Sequence, residues 1–171
     1  MNIIKKLSPH FTSGRNWQRI KRVVIHWVGM GDAHSAASWF QSPNSQVSAH
    51  YIVGDDVVYQ CVEEKDTAWH SGNWDVNLES IGIENEAIPD KPATDEVYRK
   101  SAELLKTICE KYSIALDREH IIGHNEVKAT ACPGTMDIDR LISMAKGEDM
   151  MELKDTFIDF ADYEGNYHEV G

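Results

Sequence analysis

Short β-branched runs alternate with helical patterns along the chain, and this alternation restricts its fold more than any other feature. The run Arg22–Trp27 (RVVIHW) is typical of a buried strand. Residues 97–112 repeat apolar side chains at helical spacing, and Thr94 can cap that helix. Strands that alternate with helices indicate an α/β domain. We therefore expect a mixed central β-sheet that is flanked by helices on both faces.

The other segments fit the same pattern. Gly82 lies within a strand-like run and predicts the close approach of another backbone or of a ligand. Residues 63–79 lose any period and are predicted to be a loop that crosses a site. The remaining predicted elements are a helix at 33–40, strands at 46–53 and 57–62 that form a hairpin, strands at 80–84 and 120–123, and a helix at 137–146 that Gly147 closes.

Composition divides the chain into two parts. Residues 1–147 are long enough for one domain with its own core. Residues 148–171 contain eight acidic residues and one lysine, together with several apolar side chains. We expect this acidic C-terminal segment to be either a linker toward a further module or an extension that packs on the domain.

Charge and hydropathy argue against some classes of partner. The net charge of -11 repels phosphate groups, so a nucleic-acid groove is not expected. The sequence has neither an apolar run of roughly 18 residues nor a secretory signal, which predicts a cytosolic chain without a membrane segment. Its three cysteines are expected to remain thiols in that reducing compartment.

Three potential metal ligands follow strands or lie in the loops after them. His26 ends one strand, His124 follows another, and Cys132 lies in the loop beyond. A catalytic zinc ion usually has three protein ligands and leaves its fourth position to water. The chain has eight histidines, so the alternative for any one of them is an ordinary surface or core residue.

Five motifs in order carry a family resemblance. They read VVIHW, VSAHYIV, TAWHSG, SIGIENE and GHNEVKATACPG. This series resembles the amidase family that includes phage lysins, bacterial autolysins and peptidoglycan recognition proteins, and the resemblance covers residues 22–146. It implies the fold of that family and hydrolysis of the amide bond between N-acetylmuramic acid and L-alanine in bacterial peptidoglycan.

The resemblance also implies roles for individual residues. His26, His124 and Cys132 match the three zinc ligands, and Glu84 in IGIE matches the general base. Some relatives use a tyrosine just before the position of His50. Here Ala49 stands at that position, which strengthens the assignment of Glu84.

The donor that stabilises the oxyanion remains open. Many relatives have a lysine two residues before the third ligand, where this chain has Thr130. Lys128, Thr130 or His70 could donate instead, and we favour His70. The substrate-binding residues implied for the groove are His70, Trp69, Thr130, Lys128 and Trp74. Trp27 and Trp39 are interpreted as core packing.

The expected function is that of a phage or prophage endolysin, held in the host cytoplasm before it reaches the cell wall. Its partner would be peptidoglycan, with a cell-wall-binding module outside this chain as a further expectation. Two alternatives remain. A non-catalytic module would bind muropeptides without cutting them, and an intracellular recycling amidase would act on soluble muropeptides.

Overall fold

The computed structural model describes residues 1–148, which fold around a six-stranded sheet of order β1-β5-β4-β7-β3-β8. Strands β2 and β6 form a separate antiparallel pair. The strands are β1 (Ile4–Lys5), β2 (Phe11–Thr12), β3 (Arg22–Trp27), β4 (Tyr51–Val53), β5 (Val58–Gln60), β6 (Thr67–Ala68), β7 (Ser80–Asn85) and β8 (Ile121–Gly123). The helices are α1 (Ala33–Gln41), α2 (Trp74–Glu79), α3 (Asp95–Tyr112) and α4 (Ile138–Lys146), with a short 3-10 helix at His124–Glu126.

The sheet is mixed, as the sequence predicts. Strand β3 pairs in parallel with β7 on one side and with β8 on the other. Strands β4 and β5 form an antiparallel hairpin. Val23, Val24 and Ile25 of β3 are all fully buried. This burial on both faces explains why β3 is a continuous β-branched run rather than an alternating one.

Helices cover both faces of the sheet, which confirms the predicted fold class. Ile25 and Ile83 belong to one core cluster with Leu105 of α3 and Leu141 of α4. On the opposite face, residues of α1 pack in a second cluster with Ile52 of β4. Because side chains alternate along a strand, His26 of β3 and Glu84 of β7 point to the face opposite Ile25 and Ile83, which is the face that carries α1.

The helix ends also agree with the sequence. The Thr94 side chain accepts a hydrogen bond from the backbone of Val97 at the start of α3. Asp137 caps α4 in the same way, and Gly147 ends it in the left-handed conformation that favours glycine. Local chemistry therefore set these boundaries.

Two predictions differ from the structure. The hairpin strands are shorter than predicted, and residues 63–79 contain β6 and α2 rather than a continuous loop. With six residues, α2 is too short to show a helical period, although Asn73 caps it by accepting from the backbone of Asp75 and Val76. Residues 149–171, most of the predicted acidic segment, lie outside the described residues. Within residues 1–148, no helix is long and apolar enough to cross a membrane.

Candidate metal centre and its surroundings

Three side chains from distant segments converge at one edge of the sheet. His26 lies near the end of β3, His124 directly follows the adjacent parallel strand β8, and Cys132 lies in the loop beyond. One potential ligand atom from each residue lies within 4.8 Å of the others. The carboxyl ends of parallel strands meet at the same edge, so the fold itself assembles this group.

The spacing of the donor atoms fits a metal ion. The Sγ atom of Cys132 is 3.6 Å from Nδ1 of His26. A sulfur and a nitrogen bound to one tetrahedral zinc ion are about 3.6 Å apart at the usual Zn–S and Zn–N bond lengths. The imidazole rings of His26 and His124 have their centroids 4.5 Å apart. This group of donor atoms could therefore hold a metal ion.

The remaining ring nitrogens of the two histidines have partners of their own. Nε2 of His124 donates to the backbone carbonyl of Ser71 at 2.9 Å. Nε2 of His26 lies 3.0 Å from Nδ1 of His70. Metal-binding histidines usually make such a second hydrogen bond, which orients the ring. In both residues, Nδ1 is left for the ion.

The electrostatics of the group also suit a cation. Burial, and then the neighbouring His70 and His124, lower the pKa of His26 well below its usual value, so its imidazole is neutral. Burial, with a smaller contribution from the charge of Glu84, raises the pKa of Cys132 to about 12. The pocket thus disfavours an uncompensated thiolate, and a bound dication would supply the compensating charge.

Glu84 lies beside this group on the same face of the sheet. Its Cα is paired with that of His26 across β7 and β3. Burial raises the pKa of Glu84 to about 8. Its Oε2 atom is buried and has no hydrogen-bond partner among the described residues. Because buried polar atoms are nearly always paired, this oxygen points to a partner such as water or substrate.

Glu84 also lines a cavity of about 490 Å³ that is otherwise mostly apolar. Helix α1 and the loop before it form much of the wall. At its rim, the side chains of Met30 and Trp39 are 84% and 49% exposed. The interpretation of Trp39 as core packing was therefore wrong. Ala37 and Phe40 form the buried stripe of α1, and Trp39 falls outside that stripe.

The predicted substrate residue His70 lies behind the candidate metal ligands. Nδ1 of its ring contacts His26, and Nε2 lies 3.1 Å from the hydroxyl of Ser80. The ring packs against Gly82, where a Cβ atom would lie 2.6 Å from Cγ of His70. The close approach predicted at Gly82 is therefore made by this ring. Both ring nitrogens of His70 already have partners within the protein.

The other four predicted substrate residues are not among the described residues that line the cavity. Trp69 donates through Nε1 to Thr12. Trp74 begins α2 and is half-exposed. Lys128 extends over the backbone of Gly72, where a Cβ atom would lie 3.0 Å from its Cδ.

The fourth of them, Thr130, supports the backbone of the candidate ligand Cys132. Its hydroxyl accepts a hydrogen bond from the backbone N–H of Cys132 at 3.2 Å. Trp27 packs beneath the same loop, because a Cβ atom on Gly134 would lie 2.1 Å from its ring. Trp27 is therefore a packing residue, as predicted. Together these contacts hold Cys132 in place.

Sequence reasoning missed Arg15, a buried cation that contacts the site through His50. Arg15 donates to the backbone carbonyls of Glu64, Leu78 and Ser80, and its Nη2 lies 2.8 Å from Nε2 of His50. Burial, together with the charge of Arg15, lowers the pKa of His50 to about 3. His50 is thus a neutral structural residue. No local motif marks Arg15, because its partners come from other segments.

Comparisons with known proteins find a matching family and several similar sequences. Residues 16–135 match the family described as N-acetylmuramoyl-L-alanine amidase. N-acetylmuramoyl-L-alanine amidase A of Achromobacter lyticus is 35% identical over 115 residues, which cover 63% of this chain and 60% of that protein. The 1,6-anhydro-N-acetylmuramyl-L-alanine amidase AmpD of Haemophilus influenzae is 29% identical over 166 residues, which cover 81% and 90%.

This chain covers a smaller share of the length of a third relative. The solved structures share its fold. The chain spans 42% of a probable N-acetylmuramoyl-L-alanine amidase of Bacillus licheniformis, at 23% identity and over 78% of its own length. The catalytic domain of XlyA matches with a TM-score of 0.71 at 22% identity, over 85% of this chain and 99% of that one. A mutant endolysin from Bacillus subtilis gives 0.72 at 24% identity with the same coverage.

Proposed function

This chain belongs to the N-acetylmuramoyl-L-alanine amidase family, and we propose that it hydrolyses the amide bond between N-acetylmuramic acid and L-alanine in bacterial peptidoglycan. One observation carries the proposal. The potential ligand atoms of His26, His124 and Cys132 lie within 4.8 Å of one another, and Glu84 projects beside them from the paired position on β7. A metal centre with an adjacent carboxylate can hydrolyse an amide, because the metal activates water and the carboxylate transfers its proton.

His26, His124 and Cys132 would hold a single zinc ion. When bound, zinc lowers the pKa of a water ligand to about 7 and polarises a carbonyl group. The protein's own contribution is to present two neutral imidazoles and one thiol in fixed orientations. The hydrogen bond from His124 to the carbonyl of Ser71 and the contact between His26 and His70 fix those orientations.

Glu84 acts as the general base. It accepts a proton from the water whose oxygen forms the new bond to the carbonyl carbon. It then delivers that proton to the nitrogen of L-alanine as the C–N bond breaks. Burial raises the pKa of Glu84 to about 8, and a base whose pKa lies near the working pH performs both transfers well.

The cavity beside Glu84 binds the substrate next to the scissile bond. Its apolar walls and the half-exposed Trp39 suit the apolar faces of a muropeptide. Lys128 and Thr130 follow His124 in the loop that leads to Cys132, and we propose that one of them donates to the developing oxyanion. Trp69 and Trp74 are proposed as more distant contacts with the glycan or stem peptide.

An assay on purified cell walls tests the proposal. The chain should release free amino termini of L-alanine, a chelator should abolish this release, and added zinc should restore it. Binding to walls without release would contradict an amidase and support a module that only binds muropeptides. Release that survives complete removal of metal would contradict the zinc assignment.

A recycling amidase is the second candidate. The chain matches 90% of the length of the Haemophilus influenzae relative, whose name specifies a 1,6-anhydro substrate. An endolysin should reduce the turbidity of intact walls, whereas a recycler should cleave only soluble anhydro-muropeptides. Assays of both substrates at equal enzyme concentration separate the two. We favour the endolysin, since Met30 and Trp39 are exposed at the rim of the cavity and would be accessible to a polymeric substrate.

A further inference from the structure

We infer that Ser80 is a positioning residue for the metal site, which acts through His70 to hold His26 in the tautomer that has a free Nδ1 lone pair. This inference rests on the proposed role of His26 as a metal ligand. Ser80 itself lies at the start of β7, fully buried. It neither contacts the candidate ligand atoms directly nor lines the cavity beside Glu84.

The direction of the hydrogen bonds is set at a backbone carbonyl. The hydroxyl of Ser80 lies 2.5 Å from the carbonyl oxygen of Val76, the third residue of α2. A carbonyl oxygen can only accept, so Ser80 must donate its single proton there. In its other contact, Ser80 can then act only as an acceptor.

That other contact is with His70. The hydroxyl oxygen of Ser80 is 3.1 Å from Nε2 of His70, so Nε2 must carry the proton. A neutral imidazole has one N–H group, which leaves Nδ1 of His70 as an acceptor. The ring of His70 lies against the imidazoles of His26 and His50, and the guanidinium of Arg15 lies beyond His50. These neighbours disfavour a second proton on His70.

The last link reaches the metal ligand. Nδ1 of His70 lies 3.0 Å from Nε2 of His26. As an acceptor, it requires the proton of His26 to be on Nε2. The lone pair of His26 is then on Nδ1, the atom that lies 3.6 Å from Sγ of Cys132. This series of hydrogen bonds from Val76 to His26 thus leaves Nδ1 of His26 unprotonated.

The ring of His70 is also closely packed on one side. It lies on the backbone of Gly82, where there is no space for a Cβ atom. The second histidine ligand needs no such relay, since Nε2 of His124 donates directly to the carbonyl of Ser71. The tautomers of the two candidate ligands are therefore fixed by different hydrogen bonds. Removal of the Ser80 hydroxyl should affect only the tautomer of His26.

The test is made on the full 171-residue chain with 15N-labelled histidine. Nitrogen chemical shifts in the zinc-free protein report the tautomer of His26, and a competing chelator gives the Kd for zinc. In the wild-type chain we expect the Nε2–H tautomer. In Ser80→Ala we expect a population of the Nδ1–H form and a Kd for zinc that rises about 10- to 100-fold.

Ser101→Ala is the matched control. Ser101 is also a fully buried serine, but it lies in α3, and its hydroxyl has no hydrogen-bond partner among the described residues. Its loss should leave both the tautomer and the Kd unchanged.

Two results would overturn the inference: an Nδ1–H tautomer of His26 in the wild-type chain, or a Ser80→Ala variant that binds zinc as tightly as wild type. By contrast, a wild-type chain with the expected tautomer that binds no zinc would overturn the proposed function alone.

Discussion

His26 and Glu84 occupy paired positions on the adjacent parallel strands β3 and β7. Paired residues on neighbouring strands project to the same face of a sheet, so this register places a potential metal ligand beside a potential base. Neither strand could shift by one residue without moving one of the two side chains into the core beneath α3 and α4. The register of the sheet thus defines the candidate active site.

Replacement of Cys132 by serine should remove the metal. A neutral hydroxyl is a far weaker zinc ligand than a thiolate, so we expect zinc content near zero and a loss of amidase activity to background. Metal analysis of the purified variant checks this. Cys109→Ala is the control, because it removes a buried thiol of α3. This control should cost about 1 kcal/mol of stability and keep its zinc. Full zinc occupancy in Cys132→Ser would contradict the ligand assignment.

Replacement of Glu84 by glutamine should preserve the metal and remove the base. General base catalysis is worth roughly 100- to 10,000-fold, so kcat should fall by about that factor while zinc content stays at one per chain. The control is Glu86→Gln, whose amide oxygen can still accept from the backbone of Ala33 as Glu86 does. The control should retain wild-type turnover. Near wild-type rates in Glu84→Gln would mean that another group acts as base.

Replacement of Trp39 by alanine should weaken substrate binding. Trp39 is 49% exposed and lines the cavity next to Glu84, so its loss should cost about 1.4 kcal/mol of binding, or tenfold in kcat/KM. Trp17→Ala is the control, since Trp17 is 99% exposed and does not line the cavity. Steady-state kinetics on soluble muropeptides compare the two. Equal losses of kcat/KM in the two variants would show that Trp39 makes no specific contact with the substrate.

Protonation of Glu64 should lower the stability of the folded protein in acid. Burial alone would raise the pKa of Glu64, but hydrogen bonds from Lys111, Tyr112 and Tyr51 outweigh it and hold the pKa below 4.5. Because the folded pKa is lower than the unfolded one, this contribution is present above about pH 4.5. It is lost as the pH falls through the folded value.

Urea unfolding at a series of pH values measures this effect. The variant Glu64→Gln should be less stable than wild type near pH 7, and its free energy of unfolding should decrease less between pH 5 and pH 3. Parallel curves for the two proteins over that range would show that Glu64 is not the responsible group.

Local sequence determined the elements and the metal ligands as candidates. The β-branched run of β3 indicates a strand buried on both faces, and Thr94 and Asp137 mark helix starts through their own side chains. These signals depend on neighbours within a few residues, so they can be read without the fold. The placement of His26 and His124 at strand ends belongs to the same class, because parallel strands bring their carboxyl ends to one edge.

The tertiary structure alone decided what surrounds the ligands. The contact of His70 with His26 joins β3 to the segment before α2, and the anchor made by Arg15 joins the start of the chain to β7. The exposure of Trp39 depends on which face of α1 meets the sheet. Each of these features depends on how segments that are separate in sequence pack together. Side-chain packing across the sheet fixes that arrangement, and no local pattern encodes it.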